Sequence, residues 1–130
     1  MAKSKDATWR WFSKYIRARD CLATTGELEY GICVTCGEKY SFKDLQAGHA
    51  MAGRNLSILF DEELVNAQCY KCNGYGGGKY AEYSLWFIDK YGRDKWEEKI
   101  RVKNQIKVKL DYDELWHKYR DAYNKLLKGA

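Results

Sequence analysis

Apolar positions recur at helical spacing near both ends of the chain, and in shorter, broken runs through its middle. In TWRWFSKYIRARD, residues 8–20, Trp9, Phe12 and Ile16 share one face and Arg and Lys lie largely elsewhere. This pattern predicts an amphipathic helix with Thr8 as its N-cap. GELEYGICVTCGEKYSF then reads as a tight turn between short strands, with Gly37 placed where such a turn prefers it. The stretch LQAGHAMAGRNLSILFDEELVNAQC predicts a β-hairpin or wide loop, with strands around Leu45–His49 and Leu56–Phe60. Gly76, Gly77 and Gly78 break the chain before KYAEYSLWFIDKY, a helix predicted over 79–91 and closed by Gly92. A more charged helix follows from about Asp94 to Val102. The last helix opens with Asp111 and Glu114 at capping-box spacing, carries Leu115, Tyr119, Tyr123 and Leu126 on one stripe, and stops at Gly129. The aromatic stripes are expected in the core or at a dimer contact.

Composition narrows the class. A chain of 130 residues that is 45% hydrophobic and 15% aromatic is expected to fold as one domain, residues 1–130, and is unlike a disordered chain. No apolar run is long enough to span a bilayer, and the N-terminal residues lack a signal-peptide core, so a cytoplasmic protein is expected. The formal charge of +5 points only weakly to an anionic partner. Its distribution says more: Lys3, Lys5, Arg10, Lys14, Arg17 and Arg19 gather at the front, and Lys95, Lys99, Arg101, Lys103, Lys107 and Lys109 after the middle.

Cysteine spacing carries the first chemical signal. Cys33 and Cys36 form one CxxC, and Cys69 and Cys72 another. Two such pairs predict a structural zinc site with four thiolate ligands. A thioredoxin-like redox pair would need an adjoining βαβ pattern, and a Walker-type phosphate loop would need GK[ST] after a strand; the sequence has neither. Cys21 is left over and reads as a small buried hydrophobe. His49 lies between the knuckles and Asn73 follows the second. A zinc clip closing on 33–36 and 69–72 brings both toward one place. Neutral imidazole can take a proton from water, and an oxygen-bound divalent cation can stabilise charge on a phosphodiester, so the layout suits metal-assisted phosphodiester hydrolysis.

A Gly-His pair between two CxxC knuckles, with Cys72-Asn73 closing the second, resembles the HNH nucleases of the ββα-metal class. More closely, Cys33-Val-Thr-Cys36, Leu45-Gln-Ala-Gly-His49, Leu59-Phe60-Asp61-Glu62, Asn66-Ala-Gln-Cys69, Cys72-Asn73, Glu82-Tyr83 and Asp89-Lys-Tyr-Gly92 resemble the phage NinG (Rap) recombination proteins in order and spacing. The resemblance covers about residues 30 to 103. It implies an α+β, mainly helical fold: a zinc-clipped ββα-metal (HNH or His-Me finger) core over 30–92, with flanking helices in 1–29 and 93–130. It also implies a structure-specific endonuclease acting on branched DNA such as Holliday junctions and D-loops, inside a bacterial host cell.

Carried over by position, His49 is the general base or alternatively a ligand, Asn73 a ligand of catalytic Mg²⁺ or Mn²⁺, and Asn66 the amide bracing the loop. Asn73 also suits a helix cap. Arg54 is placed to hold a phosphate. Many HNH nucleases put an acidic metal ligand immediately before the histidine; here that position is Gly48, and Gln46, Asp44 or Glu82 are the substitutes the sequence offers. Two other functions fit the same residues, a non-catalytic zinc module that binds nucleic acid and a zinc-stabilised interaction domain joining a recombination protein. A homodimer that sets two sites on one junction is the expected assembly.

Overall fold

The first helix, α1, is the element against which most others pack. In a computed structural model describing residues 2–105 and 107–129, α1 spans Lys5–Thr25 and buries Phe12, Ile16 and Cys21. Ser4 caps it, its hydroxyl accepting from Ala7 N–H at 3.0 Å. Thr8, expected as the cap, is instead fully buried within the helix, where its hydroxyl donates to Ser4 O at 2.8 Å. Ser4 wins because it stands one turn earlier in extended backbone, and Lys5 to Thr8 then join the helix.

Strands β1 (Tyr30–Ile32) and β2 (Lys39–Ser41) pair antiparallel around the first CxxC turn. A 3₁₀ turn leads into β3 (Leu45–His49), which pairs antiparallel with β4 (Val65–Cys69) in the register Gln46 to Gln68, Gly48 to Asn66 and His49 to Val65. The partner of β3 is therefore not Leu56–Phe60, the strand expected from the sequence. Leu56–Leu59 forms a single helical turn, α2, which buries the adjacent Ile58 and Leu59 together. Adjacent residues of a strand would face opposite sides. Asp61 then turns the chain back, its carboxylate accepting from Glu63 and Leu64 N–H at 2.9 and 3.0 Å, and β4 begins only after that turn.

A π-helical turn over Lys71–Tyr75 follows β4, then α3 (Tyr80–Tyr91), α4 (Arg93–Lys103) and α5 (Tyr112–Gly129). Asp111 caps α5 as its spacing predicts, accepting from Glu114 N–H at 3.1 Å. The aromatic stripe of α5 is core: Tyr119 packs edge-on against Phe12 at 4.7 Å, and Trp116 and Tyr123 meet Trp11. Among the described residues no helix is long and apolar enough to cross a membrane.

The β3–β4 pair is small, so its outer groups need other partners. From α1, Arg19 donates to Glu62 O, Val65 O and Asn66 Oδ1 while Asp20 accepts from Ala67 N–H at 2.7 Å. From the first knuckle, Val34 N–H donates to Ala67 O. On the other side Tyr83 of α3 is fully buried, donates to Gly48 O at 2.7 Å and accepts from Asn66 Nδ2 at 3.1 Å. Tyr83→Phe keeps the ring but removes a donor from Gly48 O and the acceptor of one buried Asn66 amide hydrogen, so it is expected to cost about 1–3 kcal/mol. Equilibrium urea unfolding would show this as a lower midpoint with an unchanged slope.

Candidate metal centre and adjoining polar site

The two knuckles converge. The sulfurs of Cys33, Cys36, Cys69 and Cys72 lie within 4.8 Å of one another, and those of Cys36 and Cys69 are 3.9 Å apart. A tetrahedron with metal–sulfur bonds of about 2.3 Å has edges of about 3.8 Å, so this donor set fits one zinc ion. Three backbone N–H groups already point at sulfur: Cys36 and Cys69 at Cys33, and Cys72 at Cys69. Burial disfavours the Cys33 thiolate, yet the backbone donors of Cys36 and Cys69 outweigh it and bring its pKa to about 6. Cys72 is pushed up to about 12, first by burial and then by the sulfurs of Cys69 and Cys33. One charge is thus readily carried, and its neighbours resist a second without a cation among them. Cys21, buried against Leu45 and Ala67, stands outside the four-sulfur group.

The adjoining polar site grows from the same clip. The π-helical turn, marked by Gly76 N–H donating to Lys71 O at 2.6 Å, turns Cys72 toward the sulfurs and Asn73 toward β3. Asn73 Nδ2 donates to Gln46 Oε1 at 2.7 Å, an interaction that turns its own oxygen away from Gln46. Asn73 therefore binds β3 with its side chain, and Gln46 uses its oxygen to orient that amide. Asp44 accepts from the Ser41 hydroxyl, and Glu82 is exposed in the first turn of α3.

His49 ends β3 and is 8% exposed, its ring stacked on Trp9 with centroids 5.4 Å apart. Its Nε2 lies 3.1 Å from Leu59 O. A carbonyl only accepts, so Nε2 carries the hydrogen and neutral His49 keeps its lone pair on Nδ1. Gln68 Oε1 is the one fully enclosed, unpartnered side-chain N or O among the described residues, so Nδ1, which has no partner there, retains solvent access. Burial lowers the His49 pKa below 6.5, and the Arg54 charge adds to the effect.

Arg54 is exposed and lies over the opposite partner of this stack, 4.5 Å from the Trp9 ring. It shares an open polar recess with Arg17, Lys43, Gln46 and Asn73. Arg17, Lys43 and Arg54 have no carboxylate partner among the described residues, whereas Lys99 is tied to Asp61 and Glu63 at 2.8 Å each. Arg19 is likewise committed, to Asp20 and the β4 backbone. Asn66 is 4% exposed with its amide divided among Arg19, Glu63 and Tyr83, so it holds the hairpin together and does not reach the recess.

A family model described as Bacteriophage Lambda NinG protein matches residues 2–130. The chain belongs to the NinG family. The match takes in α1 and α5, which the motif string between residues 30 and 103 leaves out. No curated protein and no solved structure matches the NinG-family chain.

Gln68 went unnoticed in the sequence because glutamine in a short strand is ordinary. Only the strand register reveals it: two residues after Asn66 in β4, it shares that residue's face, pairs with Gln46 and reaches diagonally toward the side-chain-free Gly48. For the thiol cluster, exhaustive removal of bound metal with a strong chelator, or Cys36→Ser, is expected to unfold the domain. Far-UV circular dichroism alongside metal analysis checks this.

Proposed function

We infer that this chain is a structure-specific DNA endonuclease acting on branched recombination intermediates by metal-dependent phosphodiester hydrolysis. The observation that carries the reading is the His49 ring: pinned through Nε2–H to Leu59 O, its pKa held below 6.5, its Nδ1 unpartnered, and stacked on Trp9, which together with Asn73 and Arg54 lines the cationic recess. The order of elements supports it. β3 ends in the histidine, β4 holds the bracing Asn66, and the helical turn after β4 carries Asn73, as a ββα-metal core of the HNH type requires. The four cysteines would hold zinc with a full set of protein ligands, leaving no position on it for substrate.

In this reading a DNA phosphate enters the recess, where Arg17 and Arg54 hold its oxygens. Nδ1 of His49 takes a proton from a water molecule as that water attacks phosphorus. A P–O bond forms, the bond to the leaving 3′ oxygen breaks, and that oxygen gains a proton from solvent. Asn73 would contribute its amide oxygen to a Mg²⁺ or Mn²⁺ ion. Such an ion supplies positive charge to the phosphate and to the leaving oxygen.

Among the described residues no carboxylate lines the recess with Asn73, which favours the second reading, a zinc-containing module that binds nucleic acid without cutting it. A labelled four-way junction incubated with Mg²⁺ or Mn²⁺ separates the two: cleavage by wild type supports the enzyme, and tight binding without cleavage under either ion supports the module. His49→Ala is expected to lower the cleavage rate by about 10²–10⁴ while leaving junction affinity nearly unchanged. The pH profile carries a sign. A base whose pKa is lowered stays neutral down to that value, so the acid limb of the rate profile is expected below pH 6.5. An acid limb centred above neutrality would count against His49 as the base.

A further inference from the structure

Gln68 is fully buried in β4, and both hydrogens of its amide are used. Nε2 donates to Thr35 Oγ1 at 3.1 Å and to Gly78 O at 2.9 Å. The second acceptor exists because the glycine turn bends Gly78, at φ +96°, back over the hairpin. With two acceptors fixing Nε2, the orientation of the amide is determined, and Oε1 is left pointing the other way with no hydrogen-bond donor. It points across the pair to Gly48, where a Cβ would overlap Gln68 Oε1 and lie 3.0 Å from Asn73 Oδ1. Asn73 is oriented in the same manner, through its own Nδ2 and Gln46. Two amide oxygens, each aimed by its own N–H group, therefore flank one point beside the histidine strand.

We propose that Gln68 Oε1 and Asn73 Oδ1 together form the divalent-cation site, Gln68 reaching over Gly48 to the place where a side chain at that position would lie. Two acceptors facing one point need a donor or a cation between them. Amide carbonyl oxygens are ordinary ligands for hard divalent ions, and ligands held by outer hydrogen bonds are the arrangement such sites use. One ion between the two oxygens satisfies both acceptors at once, with its remaining positions left to water. Gly48 is then required for space: any side chain on it displaces the Gln68 oxygen. The ion's catalytic role rests on the nuclease reading, while its position does not.

Mn²⁺ alone is the probe, titrated into the full-length, zinc-loaded protein and followed by loss of the free-ion electron paramagnetic resonance signal. Gln68→Met keeps the volume and removes the oxygen, and is expected to weaken Mn²⁺ binding by about 10–100-fold. The exchange Gly48→Asp with Gln68→Ala sets a carboxylate at the same point and is expected to restore or exceed wild-type Mn²⁺ affinity. Gly48→Asp alone, with Gln68 in place, is expected to do neither. Retained zinc and an unchanged urea midpoint certify each variant's fold. Wild type that takes up no Mn²⁺ in the millimolar range, or a folded Gln68→Met that binds it as wild type does, overturns the proposal. Should Gln68→Met lose its fold, an exchange variant that is folded yet binds Mn²⁺ no better than Gly48→Asp overturns it instead. Junction cleavage by the same preparations distinguishes the failures. Wild type that binds Mn²⁺ through Gln68 but never cuts refutes the nuclease and keeps the site; cleavage indifferent to Gln68 does the reverse.

Discussion

The convergence of four cysteine sulfurs is the constraint on which the remaining geometry depends. Cys33 and Cys36 lie in the turn between β1 and β2, whereas Cys69 ends β4 and Cys72 lies on the π-helical turn. One shared centre therefore welds two separate hairpins and sets the angle at which the chain leaves β4. Gln68 immediately precedes the second knuckle and Asn73 immediately follows it, so the clip that closes the thiols also presents the two amides. The charge balance of the cluster explains why a cation belongs there. Cys33 ionises readily, and burial with neighbouring sulfur charge holds Cys72 at about 12.

A two-stranded sheet is marginal by itself, and β3–β4 is stable through what surrounds it. Arg19 and Asp20 from α1, Val34 from the knuckle and Tyr83 from α3 take up its backbone groups from three directions. These are buried polar contacts, which fix position more than they add net stability. His49, at the end of β3, inherits that rigidity and gains the Trp9 stack and the Leu59 carbonyl. Arg54 sits by contrast on the exposed connection after β3, where a side chain is free to follow a ligand.

Charge is divided along the same lines. Lys95 and Lys99 neutralise the acidic turn at Asp61 and Glu63, so part of the second basic group is consumed in tying α4 to the hairpin. The front group splits as well. Arg19 is built into the core, and Arg17, whose guanidinium lies 4.4 Å from the Phe42 ring, faces the recess. A recess with cationic walls and neutral amide oxygens is electrostatically incomplete until an anion enters.

The sequence alone marks the long helices, the aromatic stripe of α5, the paired cysteine knuckles and the chemical candidates His49, Asn73 and Arg54. These follow from periodicity and ligand spacing, which are local properties. It misplaced the partner of β3, because Leu56–Phe60 and Val65–Cys69 are both short apolar runs and only burial of adjacent Ile58 and Leu59 makes the first a helical turn. It mistook Thr8 for a cap, since Ser4 competes from one turn earlier. It had no means of showing Gln68. An unpartnered amide oxygen becomes visible only when strand register sets it diagonally from Gly48 and a distant glycine turn supplies the acceptor for the other end of the amide. Hydrogen-bond satisfaction in a buried site is decided by groups far apart in the chain, and only the tertiary structure brings them within reach.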